Sequence, residues 1–127
     1  MADLNAFQER VLQLASDFAA QFPHVKAVHI FGSVARGATD AAKDVDLFFE
    51  LAAGDFRFGT AQEAHAHFQD ELETWREQAT QTLGKPVKVE PTNYGQHYPA
   101  IWQAIKNTPP TASFGKAFIV PTPDVKA

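Results

Sequence analysis

Cysteine is absent from the 127 residues, which removes disulfides and thiolate metal ligation from consideration. Basic residues are scarce: 11 Lys and Arg stand against 15 Asp and Glu, for a formal net charge of -4. A general nucleic-acid binder needs a surplus of cations to neutralise phosphates, so direct nucleic-acid binding is not expected. Long apolar runs are missing too. No stretch approaches the ~20 residues of a membrane-spanning helix, and the opening MADLNAFQER has neither the basic nor the apolar segment of a secretory signal. The expectation is a cytoplasmic protein with no membrane partner. No GxxxxGK[ST] motif occurs, which disfavours a P-loop NTPase. The histidines offer no metal clamp, because His65 and His67 stand two apart on a predicted helix and face different directions. His24, His29 and His97 are isolated, without a visible triad partner.

The patterning that is present belongs to one small globular domain. Hydrophobic residues at 45% and charged residues at 20% argue against wholesale disorder. Leu4, Phe7, Val11, Leu14, Phe18 and Phe22 recur every three or four positions. They predict a helix from Asp3 to about Phe22, with Asp3 as N-cap and Pro23 as stop. The alternating segments His24–Phe31 and Asp44–Leu51 predict strands. A second apolar helical stripe, which includes Phe68, Leu72 and Trp75, predicts a long helix over Thr60–Leu83, closed by Gly84. A short strand over Pro86–Glu90, a short helix over Pro99–Asn107 and a last strand over Phe114–Val120 follow. Trp75 and Trp102 are read as core, and Tyr94, Tyr98 and Trp102 as core before a nucleobase wall. The expected architecture is α+β, a small mixed β-sheet with helices packed on it. Residues 1–120 are expected to form the single domain and 121–127 a mobile tail.

The stretch Ala27–Leu51 organises the rest. The first strand ends at Gly32-Ser33, ten residues intervene, and Asp44-Val45-Asp46 opens the second strand. Asp44 and Asp46, at i and i+2 on a strand, point to one side with backbones roughly 7 Å apart. Two anions so placed repel unless a cation lies between them, and hard carboxylate oxygens select Mg²⁺ or Mn²⁺. If Ser33 to Ala35 open a short helix, their outward N–H groups form an anion site. Gly32 would then let a phosphate approach the backbone, and the Ser33 hydroxyl would add a hydrogen bond. Arg36 either contacts phosphate or pairs with Asp40 or Glu50.

Gly32, Ser33, Ala35, Arg36, Gly37, Asp44 and Asp46 resemble the signature of the polymerase-β-type nucleotidyltransferases. They look most like the minimal nucleotidyltransferase (MNT) branch, with its GSxARG and DxD, in which some members act as antitoxins. The resemblance implies an enzyme that moves a nucleoside monophosphate, AMP as first guess, from ATP or another NTP to an acceptor hydroxyl. It implies Mg²⁺ or Mn²⁺ held by Asp44, Asp46 and a third carboxylate, and a triphosphate held by Gly32 and Ser33. Glu90 is the candidate for the third carboxylate, with Glu50 and Asp55 as substitutes. It departs from the family pattern, in which an Asp lies inside an apolar strand. At this length no second substrate-holding domain is expected. The resemblance therefore points to a separate helical partner of the HEPN class as bearer of the acceptor, in a toxin–antitoxin pair. Three alternatives stay open: a small-molecule nucleotidyltransferase, an inactive module that binds nucleotide or partner, and a purely structural interaction domain, which leaves the paired aspartates unexplained.

Overall fold

A computed structural model describes residues 4–22, 25–37, 44–51, 61–90 and 99–121. The first helix, α1, spans Ala6–Ala19. Its start is fixed by a reciprocal capping box. Asn5 Oδ1 accepts from the Gln8 N–H at 2.8 Å, and Gln8 Oε1 accepts from the Asn5 N–H at 3.0 Å. The N-cap is thus Asn5 and not Asp3, which lies outside the described residues, because only Asn5 has a Gln three positions on to close the box. The helix also stops earlier than expected. Gln21 and Phe22 bond back three residues instead of four, a tightened final turn. Lys116 Nζ then donates to the Phe22 carbonyl at 3.0 Å.

Strand β1 (Val25–Phe31), the single-turn helix α2 (Gly32–Ala35) and strand β2 (Val45–Leu51) follow. Next come the long helix α3 (Ala61–Leu83), strand β3 (Val87–Glu90), helix α4 (Pro99–Asn107) and strands β4 (Ala112–Phe114) and β5 (Ala117–Ile119). The five strands lie in the order β3-β2-β1-β5-β4. β1 pairs antiparallel with β2 and parallel with β5, β2 pairs parallel with β3, and β4 with β5 antiparallel. The sheet is mixed and the class is α+β, as expected. The single last strand expected over Phe114–Val120 is instead a hairpin. Phe114 pairs with Ala117 around a two-residue turn at Gly115-Lys116, glycine in first place being a hairpin preference.

The alternation of β1 and β2 sorts their residues between two faces. Val28, Ile30, Val45, Leu47 and Phe49 join Ala117 and Ile119 in the main core, under Val11, Ala15 and Phe18 of α1 and Phe68 and Leu72 of α3. Phe18 is its aromatic hub, with ring centroids 4.8 Å from Trp75, 5.0 Å from Phe22 and 5.8 Å from Phe49. Trp75 is therefore core, as its helical position predicted, whereas Tyr94, Tyr98 and the Trp102 side chain lie outside the described residues. The opposite face carries a smaller cluster, Phe31, Phe48 and Val120, capped by Ile105 of α4. Among the described residues no helix is long and apolar enough to cross a membrane.

Candidate active site

The turn after β1 is built from beneath. Val34 and Ala35 are buried at 0% and 4% exposure, so α2 is anchored by its apolar half and presents Gly32 and Ser33 half-buried. The short helix expected after strand one is present. Arg36 and Gly37 close it, their N–H groups donating to the carbonyls of Gly32 (3.3 Å), Ser33 (3.2 Å) and Val34 (3.0 Å). Arg36 stands exposed at its C-cap.

Two residues absent from the sequence-based site hold this turn from the side. Gln8 is buried at 5% exposure. Its Nε2 donates to the Val34 carbonyl at 3.0 Å and to the Ala35 carbonyl at 3.4 Å. Asn5 Nδ2 donates to the Gly37 carbonyl at 3.1 Å. The capping box of α1 is thus also a strap over the Gly-Ser turn. The signal that could have found it was the Asn-x-x-Gln spacing before an apolar helical stripe.

The antiparallel register joins the two halves of the motif. Phe31 pairs with Asp46, so Gly32, one residue past Phe31, arrives beside Asp46 although the sequence separates them. Gly32 has a backbone φ of +77°, in the region that favours glycine. A Cβ built on it would collide with Asp46 Oδ2 and lie 3.4 Å from Asp46 Cγ. The glycine is required twice, for the turn and for the carboxylate beside it. Asp44 lies in the bend just before β2, half-buried like Asp46.

The neighbouring strand β3 carries a basic residue at the paired position. Asp46 pairs with Lys88 and Phe48 with Glu90. The Glu90 backbone therefore lies one strand across and two positions along from Asp46, about 8 Å away by ideal sheet spacing. The Glu90 side chain, Asp40 and Asp55 lie outside the described residues. Glu50 does not reach this end, being four positions beyond Asp46 and so roughly 13 Å along the strand. It sits instead with His29, its Oε2 3.6 Å from His29 Nε2. His29 thus has a carboxylate neighbour that the sequence did not reveal. Burial lowers the His29 pKa, with the Glu50 charge acting in the opposite direction.

Among the described residues no three His, Asp or Glu side chains form a cluster that could hold a metal ion. Asp44 and Asp46 offer hard oxygen donors of the kind Mg²⁺ accepts, and Mg²⁺ commonly takes only one or two protein carboxylates with substrate phosphates completing its shell. The place a Gly32 side chain would take is held by the Asp46 carboxylate, so the glycine is what lets that carboxylate lie against the turn.

A mixed sheet with two helices over one face and a tight turn at the end of its first strand defines an α+β domain of the nucleotidyltransferase-like type. The chain belongs to the nucleotidyltransferase domain family, whose family model matches residues 11–89, more than half of its length. Comparison with curated proteins and with solved structures yields no match.

Proposed function

We propose that the chain transfers a nucleoside monophosphate, AMP in the first instance, from an NTP to an acceptor hydroxyl. The observation that carries this reading is the Phe31–Asp46 register, which sets the Gly32-Ser33 turn against the DxD carboxylate in a domain of this family. In this reading Asp44 and Asp46 hold Mg²⁺ or Mn²⁺, and Gly32 and Ser33 receive the triphosphate, with Arg36 at its edge. Glu90 supplies the third carboxylate. The bound metal would neutralise phosphate charge, and the chain's part is mostly positioning. The acceptor oxygen bonds to the α-phosphorus while the α-phosphorus bond to the bridging oxygen breaks. Pyrophosphate leaves, and the hydroxyl proton passes to an Asp46 carboxylate oxygen. The acceptor hydroxyl belongs to a HEPN-type helical partner, as antitoxin to toxin in a cytoplasmic pair, a step that rests on the GSxARG and DxD likeness.

A second reading, nucleotide binding without transfer, is favoured by one observation. Lys88 occupies the register position beside Asp46, where a cation competes with a metal for the carboxylate. Isothermal titration of Mg²⁺ with a non-hydrolysable ATP analogue tests the shared step. Wild type is expected to bind and Asp44→Asn/Asp46→Asn to lose binding while keeping its melting temperature. Pyrophosphate release with ATP then separates transfer from mere binding, and Asp46→Asn should remove most of it. Release that needs a helical partner supports the antitoxin reading, and release with a free hydroxyl compound supports a small-molecule enzyme. Undiminished turnover in Asp46→Asn overturns the assignment.

A further inference from the structure

The two faces of the sheet are covered unequally. Helices α1 and α3 close the first. On the second, Ile105 of α4 sits on Phe31, Phe48 and Val120, and past this plug the face opens into a cavity of about 370 Å³. That volume is in the range of small-molecule sites. The plug stands between the cavity and the Gly32–Asp46 end, so this is a different place on the molecule.

Three features mark the cavity as a built site. Its floor is the His29 ring, inclined by 30° and 26° to its cross-strand neighbours Phe48 and Phe118, with centroids 6.1 and 6.0 Å away. Beside that strip the Glu50 carboxylate, its side chain only 25% exposed, approaches His29 Nε2, leaving acceptor capacity on a carboxylate facing the cavity. Its rim carries Lys26 from β1 and Lys106 from the last turn of α4, both exposed. Lys26 stands there because β1 is irregular at that point. Val25 pairs with Leu51 and Ala27 with Glu50, so Lys26 is the extra residue of a bulge. Bulges commonly re-aim a side chain at a functional site.

We propose that this cavity binds a small organic anion whose planar ring carries an N–H. The anion would meet Lys26 and Lys106 at the rim, the ring would lie against Phe118 and Ile105, and the N–H would donate to Glu50. A purine nucleoside monophosphate and an aromatic amino acid share this chemistry. The site is independent of the transfer reaction, since it uses neither Asp44 nor Asp46.

Titration calorimetry in EDTA, with AMP and with tryptophan as separate probes, tests it. At least one probe is expected to bind wild type, to lose at least tenfold in affinity in Lys26→Ala/Lys106→Ala, and to bind Asp44→Asn/Asp46→Asn unchanged. Both lysines are exposed, so the double variant should fold, and an unchanged melting curve checks this. AMP binding alone identifies a phosphate-bearing ligand, and tryptophan binding alone a carboxylate-bearing one. The proposal is overturned if neither probe binds, if binding survives loss of both lysines, or if it disappears with Asp44 and Asp46. The last outcome would assign the ligand to the carboxylate site. Failure of the transfer reaction leaves this measurement untouched, because metal is absent and the second arm lacks the DxD carboxylates.

Discussion

Gly32→Ala isolates the contact on which the candidate site depends, and Gly37→Ala is its control in the same turn. Both glycines have positive φ, +77° and +100°, so an alanine at either is strained by roughly 1–2 kcal/mol. Only Gly32 has the Asp46 carboxylate where its Cβ would go, whereas nothing lies within 4 Å of a Cβ on Gly37. The stability losses should therefore be similar, a fall in melting temperature of roughly 3–8 °C for a domain of this size. The losses in binding should differ. In Gly32→Ala the carboxylate must rotate away from the turn. Affinity for Mg²⁺ with a non-hydrolysable ATP analogue should drop at least tenfold, about 1.4 kcal/mol, and in Gly37→Ala by much less. Thermal melts by circular dichroism and titration calorimetry read the two effects separately. Equal loss of binding in both variants would show that backbone strain alone governs the site, and wild-type binding in Gly32→Ala would refute the close approach as a functional feature.

Gln8→Leu keeps the bulk of a buried side chain but removes the donors to the Val34 and Ala35 carbonyls. The expected loss is about 1–3 kcal/mol, read as a lower urea midpoint at unchanged m-value and faster amide exchange at Arg36 and Gly37. An unchanged midpoint would mean that the strap is idle. The lowered His29 pKa gives a pH dependence of definite sign. The unfolded imidazole, near the ordinary value of 6.5, binds a proton more readily than the folded one. This contribution to stability is whole above pH 6.5 and declines as pH falls from 6.5 through the folded pKa. His29→Gln should flatten the stability profile below pH 6.5 relative to wild type, and an identical slope would remove His29 as the cause.

The strands, the long helix and the Gly-Ser turn were legible because each is local. Period-two alternation in Val28–Phe31 and Val45–Glu50 places the right residues on the right faces, and the helical stripe through Phe68, Leu72 and Trp75 faces the core. What was not legible is non-local or rests on a choice between equals. Asp3 and Asn5 are both good N-caps by type, and only the reciprocal bond to Gln8 decides. The alternation of FGKAFIV runs through its own turn, which hides the hairpin at Gly115-Lys116. The His29–Glu50 approach and the Asp46–Lys88 pairing are consequences of strand register. Hydrophobic pattern fixes which face a residue takes, but not its neighbour on the next strand.

Stability and the proposed activity are carried by different atoms at this end of the sheet, which is why variants can separate them. Buried Val34 and Ala35, with the Gln8 amide on their carbonyls, hold the turn in place. Asp44 and Asp46 are half-exposed, and as neighbouring like charges they oppose each other in the folded chain. Their neutralisation to Asn should therefore cost the fold little and relieve some repulsion. Lys88 is paired with Asp46 in register, where an ammonium turned toward the carboxylates would offset part of that repulsion. A free divalent ion would then meet a pair of carboxylates whose charge is partly balanced, and would gain less from them than from an uncompensated pair. A metal that arrives with a triphosphate brings its own anionic oxygens and depends less on the protein's charge. On the proposed function the Gly32-Ser33 turn, which lies beside Asp46, would receive those phosphates. If the proposed site binds in this way, nucleotide and metal would behave as one ligand, and Gly32→Ala would weaken metal binding as much as Asp44→Asn/Asp46→Asn.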